Sequence, residues 1–78
     1  MNLGEYFGAA VRRHRELLRL SQEELADRAQ MDRTYVSGVE RGVRNPSLEV
    51  MQRLAVALGA DLDVIFSTAR EIGAKQGE

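Results

Sequence analysis

The segment from Ser21 to Gly42 constrains the fold more than any other part of this chain. It reads SQEELADRAQMDRTYVSGVERG. Ser21 followed by Glu24 has the spacing of a capping box, which satisfies the free N–H groups at the start of a helix. Asp32 is a second N-cap candidate, and glycine is common at the residue just after a helix. The segment therefore predicts two short helices joined by a tight turn.

The second of these helices, expected from about Arg33 to Arg41, has two unlike faces. With about 100° of rotation per residue, Val36, Val39 and Glu40 share an inward arc. The opposite face and its shoulders carry Thr34, Gly38, Arg41, Arg33, Ser37 and Tyr35. Because this outer surface lacks bulk and has no acidic residue, it is suited to a groove lined by phosphates and base edges.

Together with the R-N-P-S-L that follows, these residues resemble the lambda-repressor-like, or Xre-type, helix-turn-helix family. The resemblance covers about Leu3 to Phe66, and the stretch R-T-Y-V-S-G-V-E-R-G is similar to controller proteins of restriction-modification systems. It implies an all-α, compact five-helix domain in which helices 2 and 3 form the helix-turn-helix. It also implies a homodimeric transcription regulator that binds a palindromic double-stranded DNA operator in the bacterial cytoplasm.

On this interpretation the second helix lies in a major groove and reads bases. Arg33 is the candidate for paired hydrogen bonds to a guanine, while Thr34 and Ser37 can contact base edges or a thymine methyl group. Gly38 departs from the longer polar side chain usual in the family, and it either lets the DNA backbone approach or is a tolerated accident. Phosphate contacts are expected from Gln22, Tyr35, Arg41, Arg44, Asn45, Arg12 and Arg13. The roles of Arg44 and Asn45 follow from the resemblance.

Four of these phosphate contacts have structural alternatives. Gln22 is also a favourable residue for the first turn of a helix, and the Tyr35 ring is equally suited to packing. Arg12 and Arg13 belong to a charged run that is usually a solvated face.

The first helix, expected from Leu3 to about Arg19, turns an apolar stripe toward the core. The stripe consists of Leu3, Phe7, Val11, His14 and Leu18. We interpret His14 as a partly buried core residue, because no second His, Cys or paired carboxylate accompanies it. Arg15 is expected to form an ion pair with the inward Glu40, a pairing that the family resemblance supports.

The fourth helix is expected from about Leu48 to Leu58, and a fifth begins after Asp61. The apolar residues of the fifth helix spread over more than one face: Leu62, Val64, Ile65 and Phe66. We expect these four to form the homodimer interface. Because apolar content falls after Phe66, we expect a DNA-binding domain over residues 1–66. The extension, 67–78, should be helical to about Ile72 at most and then disordered.

Charge and composition bear on the remaining function classes. The net charge of −1 argues at first against a nucleic-acid partner. However, residues 1–45 hold eight arginines against seven acidic residues, whereas residues 46–78 hold three basic against five acidic residues. Four arginines between Arg28 and Arg44 supply the local positive charge that a DNA footprint needs. An ordinary arginine-rich surface is the alternative interpretation.

The chain has no cysteine, which fits a reducing cytoplasm, and no apolar run near the ~20 residues that span a bilayer. No catalytic triad, phosphate-binding glycine loop, metal cluster or effector motif is evident, so we expect no enzyme, cofactor, metal or small-molecule effector. RNA polymerase is a further partner considered for such a regulator. The alternative function is an antitoxin-like or scaffold module that uses the same fold to bind a protein.

Overall fold

The computed structural model describes residues 2–76, and these residues form five helices without a β-strand. The helices are α1 (Leu3–Leu17), α2 (Gln22–Ala29), α3 (Arg33–Glu40), α4 (Leu48–Leu58) and α5 (Leu62–Gln76). This confirms the predicted all-α, five-helix architecture. None of the helices in the described part is long and apolar enough to cross a membrane.

Local capping explains where the helices begin. Ser21 and Glu24 form the predicted capping box at α2, and Asn2 with Glu5 forms a second one at α1. The Ser47 hydroxyl caps α4 by accepting from the Val50 N–H at 3.2 Å. Asp32 occupies the N-cap position of α3, but its side chain accepts no capping hydrogen bond. Asp32 therefore acts at most through its charge near the positive end of the helix dipole.

The core is mainly aliphatic, with the buried Phe7 ring as part of it, and each helix contributes to it. Its largest fully buried side chains are Leu25, Leu54, Ile65, Val11, Val36 and Val39. Leu3 and Leu18 were predicted to face the core but are 72% and 47% exposed, and Leu48, the first residue of α4, is 71% exposed. All three lie at an end of a helix or directly after one.

The fifth helix is longer than predicted, since it continues to Gln76 and not only to Ile72. Ile65, Ala69 and Ile72 recur at helical spacing and are buried in the same core, mainly against α1. This packing stabilises the last turns of a segment whose sequence has little apolar content. Residues 77 and 78 of the expected disordered tail lie outside the described residues.

The predicted dimer interface is wrong for one of its four residues. Ile65 is fully buried in the core of its own chain and cannot contact a partner. Phe66 is half-buried, with its ring centroid 5.6 Å from that of Phe7, and Leu62 is also half-buried. Val64 is 45% exposed and remains available. The four residues follow one another around the helix, so they could not all face the same way.

Candidate nucleic-acid interface

A glycine-dependent turn ends α3, the helix predicted to read DNA. The Gly42 N–H donates to Val39 O at 3.0 Å and the Val43 N–H to Gly38 O at 2.9 Å, the two bonds of a Schellman motif. Gly42 has a φ of +78°, a left-handed conformation that favours glycine, and a Cβ built on it would lie 2.4 Å from Glu5 Cγ. Both the backbone conformation and the contact with α1 therefore require glycine.

The last turn of α3 rests directly on the backbone of α1. A Cβ on Gly8 would lie 2.1 Å from Val39 O and 2.9 Å from Glu40 O. Only a residue without a side chain allows the two helices to come this close. Gly8 was not among the residues predicted from the sequence. The available signal was a glycine inside a predicted helix, where it costs up to about 1 kcal/mol relative to alanine.

The predicted ion pair between Arg15 and Glu40 is present and almost free of solvent. Arg15 Nε donates to Glu40 Oε2 at 2.6 Å and Arg15 Nη2 donates to Glu40 Oε1 at 3.0 Å. The side chains are 11% and 3% exposed, respectively. The hydrogen bond to Glu40 raises the pKa of the Arg15 guanidinium above its ordinary value. The only acidic side chain within α3 thus points inward and is neutralised.

Gln22, at the start of α2, connects this ion pair to the predicted base-reading arginine. Its Nε2 donates to Glu40 Oε1 at 2.9 Å, and its Oε1 accepts from Arg33 Nη1 at 3.3 Å. The side-chain amide is thus engaged within the protein, which leaves the backbone N–H at the helix start to contact a phosphate. This connection could not be predicted from the sequence, because it depends on how α2 and α3 are oriented.

Arg53 of α4 is a second residue that the sequence analysis missed. Its Nη2 donates to Ala29 O at 2.7 Å and to Gln30 O at 2.5 Å. Gln30 ends α2 in a left-handed conformation, with a φ of 57°. The guanidinium therefore satisfies carbonyl groups that the helix leaves without partners and stabilises the turn between α2 and α3.

The solvent-facing side of α3 carries most of the predicted base-reading residues. Arg33 and Thr34 are exposed and Ser37 is half-buried. Arg41, a predicted phosphate contact directly after the helix, is also exposed. Gly38 was expected on this face, but it is buried. The Arg44 side chain covers it, because the loop after α3 folds back over the helix. A helical wheel gives the direction of a residue and cannot show what the following loop places over it.

Arg44 and Asn45 lie in that loop, and both are exposed. The Arg44 guanidinium carbon is 6.0 Å from the centroid of the half-buried Tyr35 ring. Asn45 Oδ1 lies 3.2 Å from the position of a Cβ on Gly4, at the start of α1. The loop therefore places a cation beside α3 and an amide beside the first turn of α1.

The remaining predicted residues lie on α1. Arg12 and Arg13 are exposed, and Arg12 Nε donates to Glu16 Oε2 at 3.1 Å. No hydrogen bond or ion pair found among residues 2–76 joins either arginine to α2 or α3. The half-buried His14 has its Nε2 2.9 Å from Thr68 Oγ1. The Thr68 hydroxyl also lies 3.1 Å from Val64 O, and its contact with the imidazole links α1 to α5.

Sequence comparison identifies relatives that contain a helix-turn-helix domain. The helix-turn-helix family model matches residues 11–65. A Mycobacterium tuberculosis protein described as an uncharacterised HTH-type transcriptional regulator is 37% identical over 62 residues, covering 80% of this chain and 44% of that protein. The control protein C.BamHI of Bacillus amyloliquefaciens is 42% identical over 59 residues, covering 74% of this chain and 73% of that protein. The chain thus spans less than half the length of the mycobacterial relative but most of the control protein.

Solved structures of controller proteins have the same fold as this chain. The restriction-modification controller protein C.AhdI from Aeromonas hydrophila superimposes with a TM-score of 0.77 at 44% identity, covering 78% of this chain and 92% of that chain. The controller C.Esp1396I, solved as a tetramer with its natural 35 base-pair operator, gives a TM-score of 0.84 at 27% identity, covering 91% and 93%. With the capped α2, the tight turn and the glycine-terminated α3 in place, the chain belongs to the Xre-type helix-turn-helix family.

Proposed function

We propose that this protein is a sequence-specific regulator of transcription that binds double-stranded DNA as a homodimer. The observation that carries the proposal is the outer surface of α3. It presents Arg33, Thr34 and Arg41 to solvent, with the Arg44 guanidinium beside it. Its only acidic side chain, Glu40, is turned inward and paired with Arg15. A helix with this surface is suited to the negative potential of a DNA groove.

Binding would place α3 in the major groove. Arg33 has five N–H donors and uses one of them on Gln22, so a donor pair is left for the O6 and N7 acceptors of a guanine. Thr34 and Ser37 would contact neighbouring base edges. Arg41, Arg44 and Asn45 would set the register through phosphates, together with the backbone N–H of Gln22 and the Tyr35 hydroxyl group. Arg12 and Arg13, which are exposed on α1, are further candidates for contacts with the DNA backbone.

Two copies related by a two-fold axis would bring two α3 helices to half-sites about 34 Å apart, one helical turn of DNA. The tetramer of C.Esp1396I on its operator supports such an assembly. Val64, with the half-buried Leu62 and Phe66, offers apolar surface for the partner. We propose a binding role without catalysis or cofactor, in the bacterial cytoplasm, with RNA polymerase as the partner through which DNA binding would affect transcription.

The more specific role that we propose is control of a restriction-modification system. The similarity to C.BamHI and C.AhdI supports it, since both are named as control or controller proteins and this chain spans most of each. Such a regulator would respond to its own concentration, because dimerisation and DNA binding are linked by mass action.

Selection of bound duplexes from a random DNA pool tests the proposal. We expect a consensus with two-fold symmetry, and an affinity that falls steeply as salt concentration rises. The Arg33→Ala variant, carried through the same selection, should lose the preference at one position in each half-site. Absence of salt-dependent binding to any duplex would contradict the proposal and favour the protein-interaction module.

A further inference from the structure

Gly38 and Arg44 are in contact through both main chain and side chain. Gly38 O accepts from the Val43 N–H at 2.9 Å and from the Arg44 N–H at 3.2 Å. These bonds hold the start of the loop against α3. They also bring the Arg44 side chain over the one residue of α3 that has no side chain of its own.

The Arg44 methylene groups occupy the space that a side chain at position 38 would need. A Cβ built on Gly38 would lie 2.5 Å from Arg44 Cγ, a distance that real Cβ contacts essentially never show. The next atoms, Arg44 Cβ and Cδ, would be at 3.6 Å, an ordinary contact distance. The present position of the Arg44 side chain is therefore the only feature that conflicts with a residue larger than glycine at position 38.

This path directs the Arg44 guanidinium along α3. Its carbon lies 6.0 Å from the Tyr35 ring centroid, at the outer limit of a cation–π contact. Tyr35 belongs to α3, so the cation of a loop residue is held beside an aromatic side chain of the proposed recognition helix.

We propose that Gly38 is a positioning residue for DNA binding. It acts through Arg44, because its missing side chain allows the Arg44 chain to lie across α3 and fixes where the guanidinium meets the DNA. The inference rests on the proposed DNA-binding function. It replaces both explanations that the sequence suggested for this glycine, close approach of the DNA backbone and a tolerated accident.

A double-mutant cycle tests the inference. Gly38→Ala should force Arg44 into another rotamer and weaken binding to the selected operator on the order of tenfold, as Arg44→Ala should. Because both changes remove the same contact, the Gly38→Ala/Arg44→Ala double variant should bind no more weakly than Arg44→Ala alone. Each should lower the slope of log affinity against log salt by about one. Additive losses would overturn the proposal and point to direct approach of the DNA backbone to Gly38.

A control variant and a measurement without DNA complete the experiment. Arg41→Ala removes a neighbouring arginine that does not cover Gly38, so its loss should add to that of Gly38→Ala. In the free protein, both Gly38→Ala and Arg44→Ala should shift the NMR resonances of the Tyr35 ring in the same way. Unchanged Tyr35 resonances in Gly38→Ala would overturn the inference, even if the chain bound no DNA. Absence of DNA binding by the wild type would overturn the proposed function and the role of Gly38 in DNA binding, whereas the Tyr35 resonances would still test whether Gly38 positions Arg44.

The Tm values of the same variants show whether each change disturbs folding. Alanine is a better helix former than glycine, so Gly38→Ala should keep or raise the Tm once Arg44 has moved. If Gly38→Ala alone unfolds, the double variant still tests the contact, because Arg44→Ala removes Cγ and leaves a 3.6 Å neighbour. Recovery of folding in the double variant would support the inference, and failure to recover would overturn it.

Discussion

Arg15 on α1 and Glu40 on α3 form an almost fully buried ion pair, with 2.6 Å between Arg15 Nε and Glu40 Oε2 and only 3% of the Glu40 side chain exposed. Glu40 also accepts from Gln22 of α2 at 2.9 Å. One carboxylate thus holds α3 against the two helices that support it. The orientation of the proposed recognition helix depends on this carboxylate.

Glu40→Ala is expected to lower the free energy of unfolding by about 3 to 5 kcal/mol, because it leaves the Arg15 guanidinium mostly buried without its partner. Denaturant unfolding near neutral pH measures the loss. The Arg12–Glu16 pair is a matched control, since it joins the same atom types at 3.1 Å with side chains 64% and 55% exposed. Glu16→Ala should cost only about 0.3 to 0.5 kcal/mol. Similar small losses from both variants would contradict a structural role for the buried pair.

Gly8→Ala should destabilise the domain by about 3 kcal/mol, the upper end of the range for overpacking. The new Cβ would meet the Val39 carbonyl oxygen at 2.1 Å, and backbone of α3 cannot rotate away as a side chain can. Gly4→Ala on the same helix is the control, because its nearest neighbours are side-chain oxygens of Asn45 and Asn2 at 3.2 and 3.3 Å. That change should stay within about 1 kcal/mol. Thermal unfolding of both variants would show whether α1 and α3 are as close as described.

Arg33→Ala and Arg41→Ala should weaken DNA binding in different ways. Loss of Arg33 should cost roughly 1 to 3 kcal/mol on the operator and relax the preference at one base position. Loss of Arg41 should weaken all duplexes alike and lower the salt slope by about one. Fluorescence titrations with operator and random DNA at several salt concentrations distinguish the two. Equal effects of Arg33→Ala on both DNAs would refute its base-reading role.

Val64 and Ile65 are neighbours on α5 that face opposite environments. Ile65→Ala should cost about 2 to 5 kcal/mol of stability, because Ile65 is fully buried. Val64→Asp should leave the fold stable, since Val64 is 45% exposed and lies in the first turn, where a negative charge suits the helix dipole. It should, however, weaken dimerisation as measured by sedimentation equilibrium. A dimer constant unaffected by Val64→Asp would move the proposed interface away from the start of α5.

The capping box at α2 predicts a dependence of stability on pH. The Ser21 N–H donates to Glu24 Oε1 at 2.8 Å, and this bond, together with the Ser21 side chain, lowers the pKa of Glu24 below its ordinary value. The ionised form is therefore favoured by folding. Its contribution is complete above the ordinary glutamate pKa of about 4.3 and is lost as the pH falls through the lower, folded-state value. Glu24→Gln keeps an acceptor oxygen but does not titrate.

Thermal unfolding of the wild type and of Glu24→Gln, from neutral pH to about pH 3, measures this contribution. The wild type should have the higher Tm at neutral pH, and the difference should shrink in acid. A difference that stays constant with pH would show that the Glu24 carboxylate does not contribute.

Much of the helix-turn-helix could be predicted from the sequence, because its signals are local. The spacing of Ser21 and Glu24 identified the start of α2, and Gly42 identified the end of α3. These features depend on hydrogen bonds between residues a few positions apart and on backbone conformations that only glycine adopts readily. The inward position of Glu40 followed from helical periodicity, and the family resemblance supported Arg15 as its partner.

The tertiary structure determined which residues are buried and which other residues cover them. Periodicity gives the angle of a residue around its own helix axis, but Gly38 is buried by a side chain from the loop that follows. Gly8 is required by the distance between two helices, and Ile65 belongs to the core because α5 packs on α1. Such contacts join residues many positions apart, so no local pattern encodes them. The sequence alone determined the helices and the chemistry of α3, whereas packing of the five helices determined which of its groups are free to meet DNA.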